Sequence, residues 1–121
     1  MELERLPDEL TVCRLSSITA AVLALDFCFL GKTDQELSLV CRTSDVPENT
    51  THRADGWRGF RIRGTLDFSL IGILSRLSGV LAENGIGLFA VSTYNTDYIL
   101  VQAGDFERTM NVLAKAGYTV L

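Results

Sequence analysis

The fold of this chain is decided by residues 61–101, whose sequence is RIRGTLDFSLIGILSRLSGVLAENGIGLFAVSTYNTDYILV. Around the start of this stretch, from residue 60 to residue 63, Phe60 and Ile62 alternate with Arg61 and Arg63, which indicates a half-buried strand. The next apolar residues recur three or four positions apart, which indicates one face of a helix. They are Leu70, Ile73, Leu74, Leu77, Val80 and Leu81. The change of period predicts a strand followed by an amphipathic helix.

The predicted helix, Phe68 to Asn84, has a signal at each end. Asp67 or Ser69 can accept hydrogen bonds from its first amide groups. Gly85 is the residue type that commonly ends a helix in the left-handed conformation, and Ile86 is placed to pack back on the last turn.

The residues after this helix predict two strands, a second helix and a final strand. The strands are Ile86 to Tyr94, Tyr98 to Ala103 and Tyr118 to Leu121. The second helix begins after Gly104-Asp105 and ends at Gly117. Residues 57–121 therefore predict the order β-α-β-β-α-β, which is an α+β, ferredoxin-like unit with both helices on one face of its sheet.

The first half of the chain predicts a β-rich unit with a less distinct pattern. Its candidate strands are Leu10 to Ser16, Asp26 to Lys32 and Glu36 to Thr43. Ser17 to Leu25 fits either a short helix or a coiled apolar segment. Ser44 to Gly56 is polar and contains Pro47, so we interpret it as a linker. We accordingly expect a domain over residues 1–50 and a second over residues 57–121.

Two segments of the chain resemble each other. ELSLVCRTSDVP and DYILVQAGDFER each contain an acidic residue, an alternating apolar strand and a polar exit. We infer an internal duplication in which the N-terminal copy is a partial version of the C-terminal unit.

Composition limits the classes of function. The chain has 121 residues, a hydrophobic fraction of 47% and a formal net charge of −4. A negative surface disfavours nucleic acid, because phosphate binding needs clustered Lys and Arg. The apolar region from Ile18 to Leu30 is shorter than the roughly 20 residues that cross a bilayer. The N-terminal residues lack the basic start and apolar core of a signal peptide. We therefore expect a cytoplasmic protein with no membrane or nucleic-acid partner.

The residues that usually carry chemistry are few. Cys13, Cys28 and Cys41 have no CxxC or His-Cys spacing and lie among apolar residues, so we interpret them as buried free thiols. The single histidine, His52, lies in the polar segment without a partner to orient it. We expect no metal, no cofactor and no catalytic site.

The tryptophan-led strand at Trp57, the helix FSLIGILSRLSGVLAENGI and the motif STYNTDYILV resemble the ACT-domain family. Within that family they are similar to the group of small bacterial proteins to which the arginine-sensing CASTOR proteins are related. The resemblance covers about half of the chain, and the N-terminal half matches in outline. It implies paired ACT-like units that bind an amino acid or a similar effector where two units meet, a homodimer, and no catalytic residues.

The resemblance also implies the site residues. The first effector-binding loop corresponds to Leu66, Asp67, Phe68, Ser69, Ile71 and Gly72. The strand end that faces the effector corresponds to Ser92, Thr93, Tyr94, Asn95, Thr96 and Asp97. The N-terminal unit contributes Ser44, Asp45 and Val46. In this family pattern Asp97 is the acid that meets a cationic side chain of the ligand.

Simple chemistry supports such a site. The first turn of a helix presents free N–H groups and a positive dipole end, which suit the carboxylate of an amino acid. Gly72 lets a ligand approach the backbone, although helix–sheet packing explains it equally well. Asp67 serves as a helix cap with or without ligand contact, and Asp97 is also a common turn residue.

Four classes of function remain to be compared. A regulatory module that senses a small molecule agrees best with the predicted fold. A non-catalytic module for homo-oligomeric assembly is the main alternative. An RNA-binding domain shares the element order, and Arg58-Gly59-Phe60 is similar to the start of its aromatic motif, but on the wrong strand and with the wrong net charge. A small enzyme lacks a nucleophile with its base.

Overall fold

The computed structural model describes residues 1–65 and 71–121, which fall into two units. Unit 1 comprises Met1–Pro7 and Arg58–Leu121, and unit 2 comprises Asp8–Trp57. Unit 2 is therefore inserted, along the chain, within unit 1. We expected the N-terminal domain to span residues 1–50, but Met1–Pro7 groups with unit 1, because Glu2–Arg5 pairs with residues 60–62 and 119–120 of that unit.

The described residues contain eight strands and three α-helices. The strands are β1 (Glu2–Arg5), β2 (Leu10–Leu15), β3 (Cys28–Lys32), β4 (Leu37–Arg42), β5 (Thr50–Ile62), β6 (Phe89–Ser92), β7 (Asp97–Gln102) and β8 (Thr119–Val120). The helices are α1 (Ala20–Leu23), α2 (Ile73–Glu83) and α3 (Phe106–Lys115). The order β5-α2-β6-β7-α3-β8 confirms the predicted ferredoxin-like unit.

Strand β1 adds a feature that the sequence pattern did not predict. In unit 1 the strands lie in the order β8-β1-β5-β7-β6. Leu3 faces Ile62 in the antiparallel β1–β5 pair and Val120 in the parallel β1–β8 pair. The segment Glu2–Arg5 does alternate about the buried Leu3, but it is too short and too acidic to stand out as a strand.

The core of unit 1 lies between this sheet and helices α2 and α3. The sheet contributes Leu3, Phe60, Ile62, Ile99 and Val101. The helices contribute Leu77, Leu81, Phe106, Met110 and Leu113. Because alternate strand residues point to the same face, both helices cover one face of the sheet, as predicted.

Helices α2 and α3 end in the same way. Gly85 and Gly117 have φ values of 68° and 105°, which are left-handed conformations that favour glycine. The next residues turn back: the Ile86 amide donates to the Leu81 carbonyl at 2.9 Å and the Tyr118 amide to the Leu113 carbonyl at 3.1 Å. The predicted helix ends are therefore confirmed.

The start of α2 differs from the prediction. The helix begins at Ile73 and not at Phe68, with Gly72 as its N-cap residue at φ 80° and ψ 7°. A right-handed helix does not continue through a residue with positive φ, so Ile71 and Gly72 precede the helix. The proposed capping residues Asp67 and Ser69 lie outside the described residues.

In unit 2 the strands lie in the order β3-β4-β2-β5, and its core contains Cys13, Leu15, Val22, Leu39 and Cys41. The ambiguous segment Ser17 to Leu25 contains the one-turn helix α1. The side chain of Thr19 caps this helix by accepting from the Val22 amide at 3.3 Å.

The segment Ser44 to Gly56 is not a linker throughout, because β5 begins at Thr50 and pairs with β2. Its polar residues satisfy polar groups of the neighbouring strand. The fully buried Thr11 donates from Oγ1 to Asp55 Oδ1 at 2.7 Å, and Arg53 donates to the same oxygen. These hydrogen bonds lower the pKa of Asp55 below its ordinary value. A polar sequence therefore forms a strand here because its partners lie across the sheet.

The two segments that resemble each other in sequence also have similar backbone geometry. In the β3–β4 hairpin the Thr33 amide donates to the Glu36 carbonyl at 3.0 Å, and in the β6–β7 hairpin Thr93 donates to Thr96 at 2.9 Å. Strands β4 and β7 are each followed by a 3₁₀ turn, Thr43–Asp45 and Ala103–Asp105. The two units share this hairpin and turn. The helix that precedes the hairpin is much shorter in unit 2 (α1) than in unit 1 (α2).

We expect β1 to contribute strongly to the stability of unit 1. Leu3→Ala should lower the free energy of unfolding by about 2–5 kcal/mol, because it leaves a cavity in the core. Chemical denaturation with far-UV circular dichroism measures the change. Leu23→Ala is the control: its side chain is 69% exposed, and the expected change is within about 0.5 kcal/mol. Equal effects of both substitutions would contradict a structural role for β1.

Candidate functional site

The first candidate site is a cleft of unit 1 at the N-terminal end of α2, which we call the helix cleft. Its volume is about 220 Å³. The residues that line it include Ile71, Gly72, Ile73, Arg76, Gly117 and Tyr118. It lies beside the start of one helix and the end of the other, because Gly117 and Tyr118 follow α3.

The left-handed Gly72 determines which groups of α2 are free. The first hydrogen bond of the helix runs from the Arg76 amide to the Gly72 carbonyl at 2.9 Å. The amide groups just before it, from Ile73 to Ser75, have no carbonyl one turn earlier within the helix. Arg76 adds an exposed guanidinium one turn from the helix start. Together these groups can bind a carboxylate or another small anion.

The second candidate site, which we call the Arg61 cleft, also lies in unit 1 and has a volume of about 390 Å³. Strands β1, β5 and β7 contribute Glu4, Arg61 and Tyr98, and other lining residues include Arg63, Gly64 and Thr96. Arg61 and Arg63 alternate with the buried Phe60 and Ile62, so they point away from the core. The cleft therefore lies on the side of the sheet opposite the helices.

Arg61 is held at the centre of this cleft by two partners. Its Nε donates to Glu4 Oε1 at 2.8 Å, and its Nη1 donates to the Tyr98 hydroxyl at 3.3 Å. The hydrogen bond and the positive charge of Arg61 lower the pKa of Glu4. The hydrogen bonds to Glu4 and Tyr98 raise the pKa of Arg61. These two hydrogen bonds attach the Arg61 guanidinium to β1 and β7, and Arg63 forms a longer ion pair of 3.9 Å with Glu2.

The turn between β6 and β7 is rigidly held. The Thr93 amide and hydroxyl both donate to the Thr96 carbonyl, at 2.9 and 3.0 Å. The buried Thr96 hydroxyl donates to the Ile62 carbonyl at 2.7 Å, which attaches the turn to β5. Ser92 Oγ donates to Asp97 Oδ1 at 2.6 Å. Tyr94 is 78% exposed at the tip of the turn.

The predicted site residues do not share one cleft in the described structure. Ile71 and Gly72 line the helix cleft, whereas Asn95 and Thr96 line the Arg61 cleft. The other residues of the turn, Ser92, Thr93, Tyr94 and Asp97, are not among the lining residues of either cleft. Leu66, Asp67, Phe68 and Ser69 lie outside the described residues.

The predicted site residues of the N-terminal unit lie in unit 2. Ser44 and Asp45 belong to the 3₁₀ turn after β4, and Val46 packs against the core of that unit. The turn holds Asp45 partly buried and leaves Ser44 exposed.

Sequence reasoning missed several residues that line the clefts. Arg76 was missed because the helix was expected to begin at Phe68, five residues before its actual start, so that Arg76 would lie well inside the helix. Glu4 was missed because β1 was not predicted. Arg61 and Arg63 were predicted to alternate with Phe60 and Ile62 along a half-buried strand, but the partners of Arg61, Glu4 and Tyr98, become evident only from the structure.

Other kinds of site find little support in the described part of the chain. Residues 1–65 and 71–121 contain no group of three or more His, Cys, Asp and Glu side chains placed to hold a metal ion. None of the helices in these ranges has both the length and the apolar character needed to cross a bilayer.

The described residues of unit 1 form a small α+β domain with the ferredoxin-like element order and two clefts. A sequence profile of the ACT domain matches residues 53–115, which cover more than half of the chain. The chain belongs to the ACT-domain family. The resemblance inferred from Trp57 onward is therefore confirmed.

Solved structures agree with this assignment. A protein from Agrobacterium tumefaciens is 35% identical, with 99% of this chain and 91% of that chain covered and a TM-score of 0.87. A Vibrio cholerae protein of unknown function, described as a possible transport protein, is 17% identical over 93% of this chain and 86% of that chain, with a TM-score of 0.79.

A third structure is the regulatory subunit of aspartate kinase from Thermus thermophilus. It is 10% identical, with 97% of this chain and 98% of that chain covered and a TM-score of 0.65, which is a likeness of fold. No curated protein matches the chain by sequence.

The Glu4–Arg61 pair should contribute to stability in a pH-dependent way. Because the pKa of Glu4 is lowered in the folded state, its contribution is present above the ordinary glutamate pKa of about 4.3 and is lost as the pH falls through the folded-state pKa. Glu4→Gln should therefore make the melting temperature fall less steeply with acid below about pH 4.3. Differential scanning calorimetry across this range measures the slope.

The matched control is Glu2→Gln, which removes the longer contact to Arg63. Its acid slope should stay close to that of the unchanged chain. Identical slopes for Glu4→Gln and the unchanged chain would contradict the role assigned to the Glu4–Arg61 pair.

Proposed function

We propose that this chain is a non-catalytic regulatory protein that binds a free amino acid, and that the helix cleft receives the α-carboxylate. The observation that carries the proposal is that the first turn of α2 after Gly72 and the Arg76 guanidinium line one cleft of an ACT domain. The predictions that the protein is cytoplasmic and binds no nucleic acid belong to the same proposal.

The chemistry of the helix cleft favours a carboxylate. The positive dipole end of α2 and the guanidinium of Arg76 both attract an anion. Gly72 has no side chain, and a Cβ built at this position would meet no heavy atom within 4 Å. A ligand can therefore approach the backbone at this residue. Ile71, which is 95% exposed, provides apolar surface at the rim.

The other end of an amino acid needs acceptors for an ammonium group or a basic side chain. Asp97 accepts a hydrogen bond from Ser92 through Oδ1, and a carboxylate can accept through both of its oxygens. We propose that the segment Ser92 to Asp97 supplies these acceptors. The loop residues Leu66, Asp67, Phe68 and Ser69 remain part of the proposed site.

We further propose that the complete site needs two ACT-like units, as in a homodimer. The residues at Ile71–Gly72 and those at Asn95–Thr96 line different clefts of unit 1. A ligand held by the helix cleft of one copy and the Ser92–Asp97 turn of a second copy would contact both groups. The shared hairpin and 3₁₀ turn of the two units support a tandem ACT arrangement, in which Ser44, Asp45 and Val46 of unit 2 are also candidates.

The alternative is an assembly module without a physiological small ligand. The exposure of Ile71 and Tyr94 favours it, because large apolar side chains at a surface often contact a partner. Dimer formation alone agrees with both proposals. A folded dimer that no amino acid stabilises would favour this alternative.

We expect one or more of the twenty amino acids to raise the melting temperature of the full chain, because a ligand that binds the folded state stabilises it. Arg76→Ala should lower the affinity for that ligand about tenfold or more, and a tenfold change corresponds to ~1.4 kcal/mol of binding free energy. Isothermal titration calorimetry measures the affinity. Arg14→Ala, an equal charge change on the exposed face of β2, should leave the affinity unchanged. A panel without any stabilising amino acid would contradict the proposal.

Asp97→Ala tests the acceptor role separately. If the carboxylate pairs with a cationic side chain, the substitution should weaken a basic amino acid more than a neutral one of similar length. Calorimetric affinities for the pair arginine and glutamine provide the comparison. An equal loss of affinity for arginine and glutamine would refute charge pairing by Asp97. The binding of the ligand at the helix cleft would still be tested by Arg76→Ala.

A further inference from the structure

The three cysteines of the chain lie close together in unit 2. All three are free, and they belong to the adjacent strands β2, β4 and β3. Cys13 and Cys41 are part of the core, and the partly exposed Cys28 packs against it. The proposed function uses none of them.

The strand register places two of these thiols directly opposite each other. Cys28 faces Cys41 in the antiparallel β3–β4 pair, so both side chains point to the same face. The hairpin is closed by the hydrogen-bonded pair Thr33–Glu36. In an antiparallel pair, hydrogen-bonded and non-hydrogen-bonded residue pairs alternate along the strands. Thr33–Glu36 is a hydrogen-bonded pair and Cys28–Cys41 lies five pairs further along, so Cys28–Cys41 is a non-hydrogen-bonded pair.

That kind of pair suits a disulfide. Directly opposed residues without mutual hydrogen bonds have Cα atoms about 4.5 Å apart and side chains close together. Disulfides join residues whose Cα atoms are roughly 4.4–6.8 Å apart. We propose that Cys28 and Cys41 form a reversible modification site, at which a peroxide oxidises the two thiols to a cross-strand disulfide.

The reaction starts at Cys28, which is the most accessible of the three thiols. Its thiolate sulfur attacks one peroxide oxygen, the O–O bond breaks, and the leaving hydroxide takes up a proton to become water. Cys28 is then a sulfenic acid. The Cys41 sulfur attacks that sulfur, the S–O bond breaks, and the hydroxyl leaves as water with the Cys41 proton. Two thiols and one peroxide thus give one disulfide and two waters.

Burial explains why Cys41 is the second thiol to react and not the first. Burial raises the pKa of the Cys41 thiol to about 12, with smaller contributions from Cys13, Asp45 and Cys28. A protonated thiol is a poor nucleophile towards peroxide. Burial also raises the pKa of Cys13, whose thiol lies within hydrogen-bonding reach of Cys41, although its directly opposed residue on β4 is Leu39. Because Cys13 is buried, a peroxide reaches it less readily than the partly exposed Cys28.

The position of Cys28 also makes the disulfide reversible. Strand β3 lies at the edge of the sheet of unit 2, and Cys28 is partly exposed there. A small thiol can therefore attack the Cys28 sulfur and release Cys41. While it exists, the disulfide fixes the edge strand β3 to β4.

Trypsin provides a direct test, because it separates the three cysteines. Cleavage after Arg5, Arg14, Lys32 and Arg42 leaves Cys13 in peptide 6–14, Cys28 in peptide 15–32 and Cys41 in peptide 33–42. The full chain is treated with hydrogen peroxide, alkylated, digested without reductant and analysed by mass spectrometry. We expect peptides 15–32 and 33–42 to be linked, the number of free thiols to fall from three to one, and dithiothreitol to reverse both changes.

Variants make the assignment specific. Cys28→Ser, at a partly exposed position, should abolish the linked peptide while circular dichroism shows a folded chain. Cys13→Ala should leave it intact. The disulfide should also raise the melting temperature of the unchanged chain and not that of Cys28→Ser.

Three results would overturn the proposal. One is a peptide in which Cys13 is linked to Cys41. Another is a disulfide between two copies of the chain. The third is oxidation of Cys28 to the sulfinic acid in the folded chain with Cys41 still reduced.

Discussion

The alternation of side chains along β5 is the constraint on which unit 1 depends. Phe60 and Ile62 point into the core and contact residues of α2 and α3, so Arg61 must point to the opposite face. The register with β1 then puts Glu4 directly across from Arg61. A shift of one residue would bury the guanidinium in an apolar core at a large cost in free energy. The packing of the core therefore fixes the position of the charges that line the Arg61 cleft.

A second constraint, local to one residue, sets the position of the helix cleft. Gly72 has a positive φ, so α2 cannot include it and begins at Ile73. The first turn of α2 thereby lines the same cleft as Arg76 and the residues after α3. If Gly72 were helical, the free amides would lie earlier in the chain. One backbone angle thus determines whether the helix end and the guanidinium line the same cleft. The positive φ also explains, without close packing, why glycine is favoured at this position.

Much of the fold could be predicted from the sequence, because its signals are local. The period of Leu77 and Leu81, and the glycines at 85 and 117, identify helices and their ends from neighbouring residues alone. The features that could not be predicted depend on distant partners. Leu3 forms a strand because Ile62 and Val120 flank it, and Thr50 to Gly56 form a strand because Thr11 needs Asp55 across the sheet. The clefts show the same division: Gly72 and Thr96 are residues that the family resemblance implied and that line clefts, whereas the contacts of Glu4 and Tyr98 with Arg61 depend on distant strands.

The two units differ in how they use the same local geometry. Each has a tight hairpin closed by a threonine and a 3₁₀ turn after the next strand, yet unit 2 has the one-turn α1 where unit 1 has α2. A four-residue helix has a much smaller dipole than the eleven-residue α2, so α1 offers a weaker positive end than α2 does. Unit 2 also places two cysteines, Cys28 and Cys41, directly opposite each other in its hairpin, whereas β6 and β7 of unit 1 contain no cysteine. The short helix and the cysteine pair thus make unit 2 chemically distinct from unit 1, although the two units share the hairpin and the 3₁₀ turn.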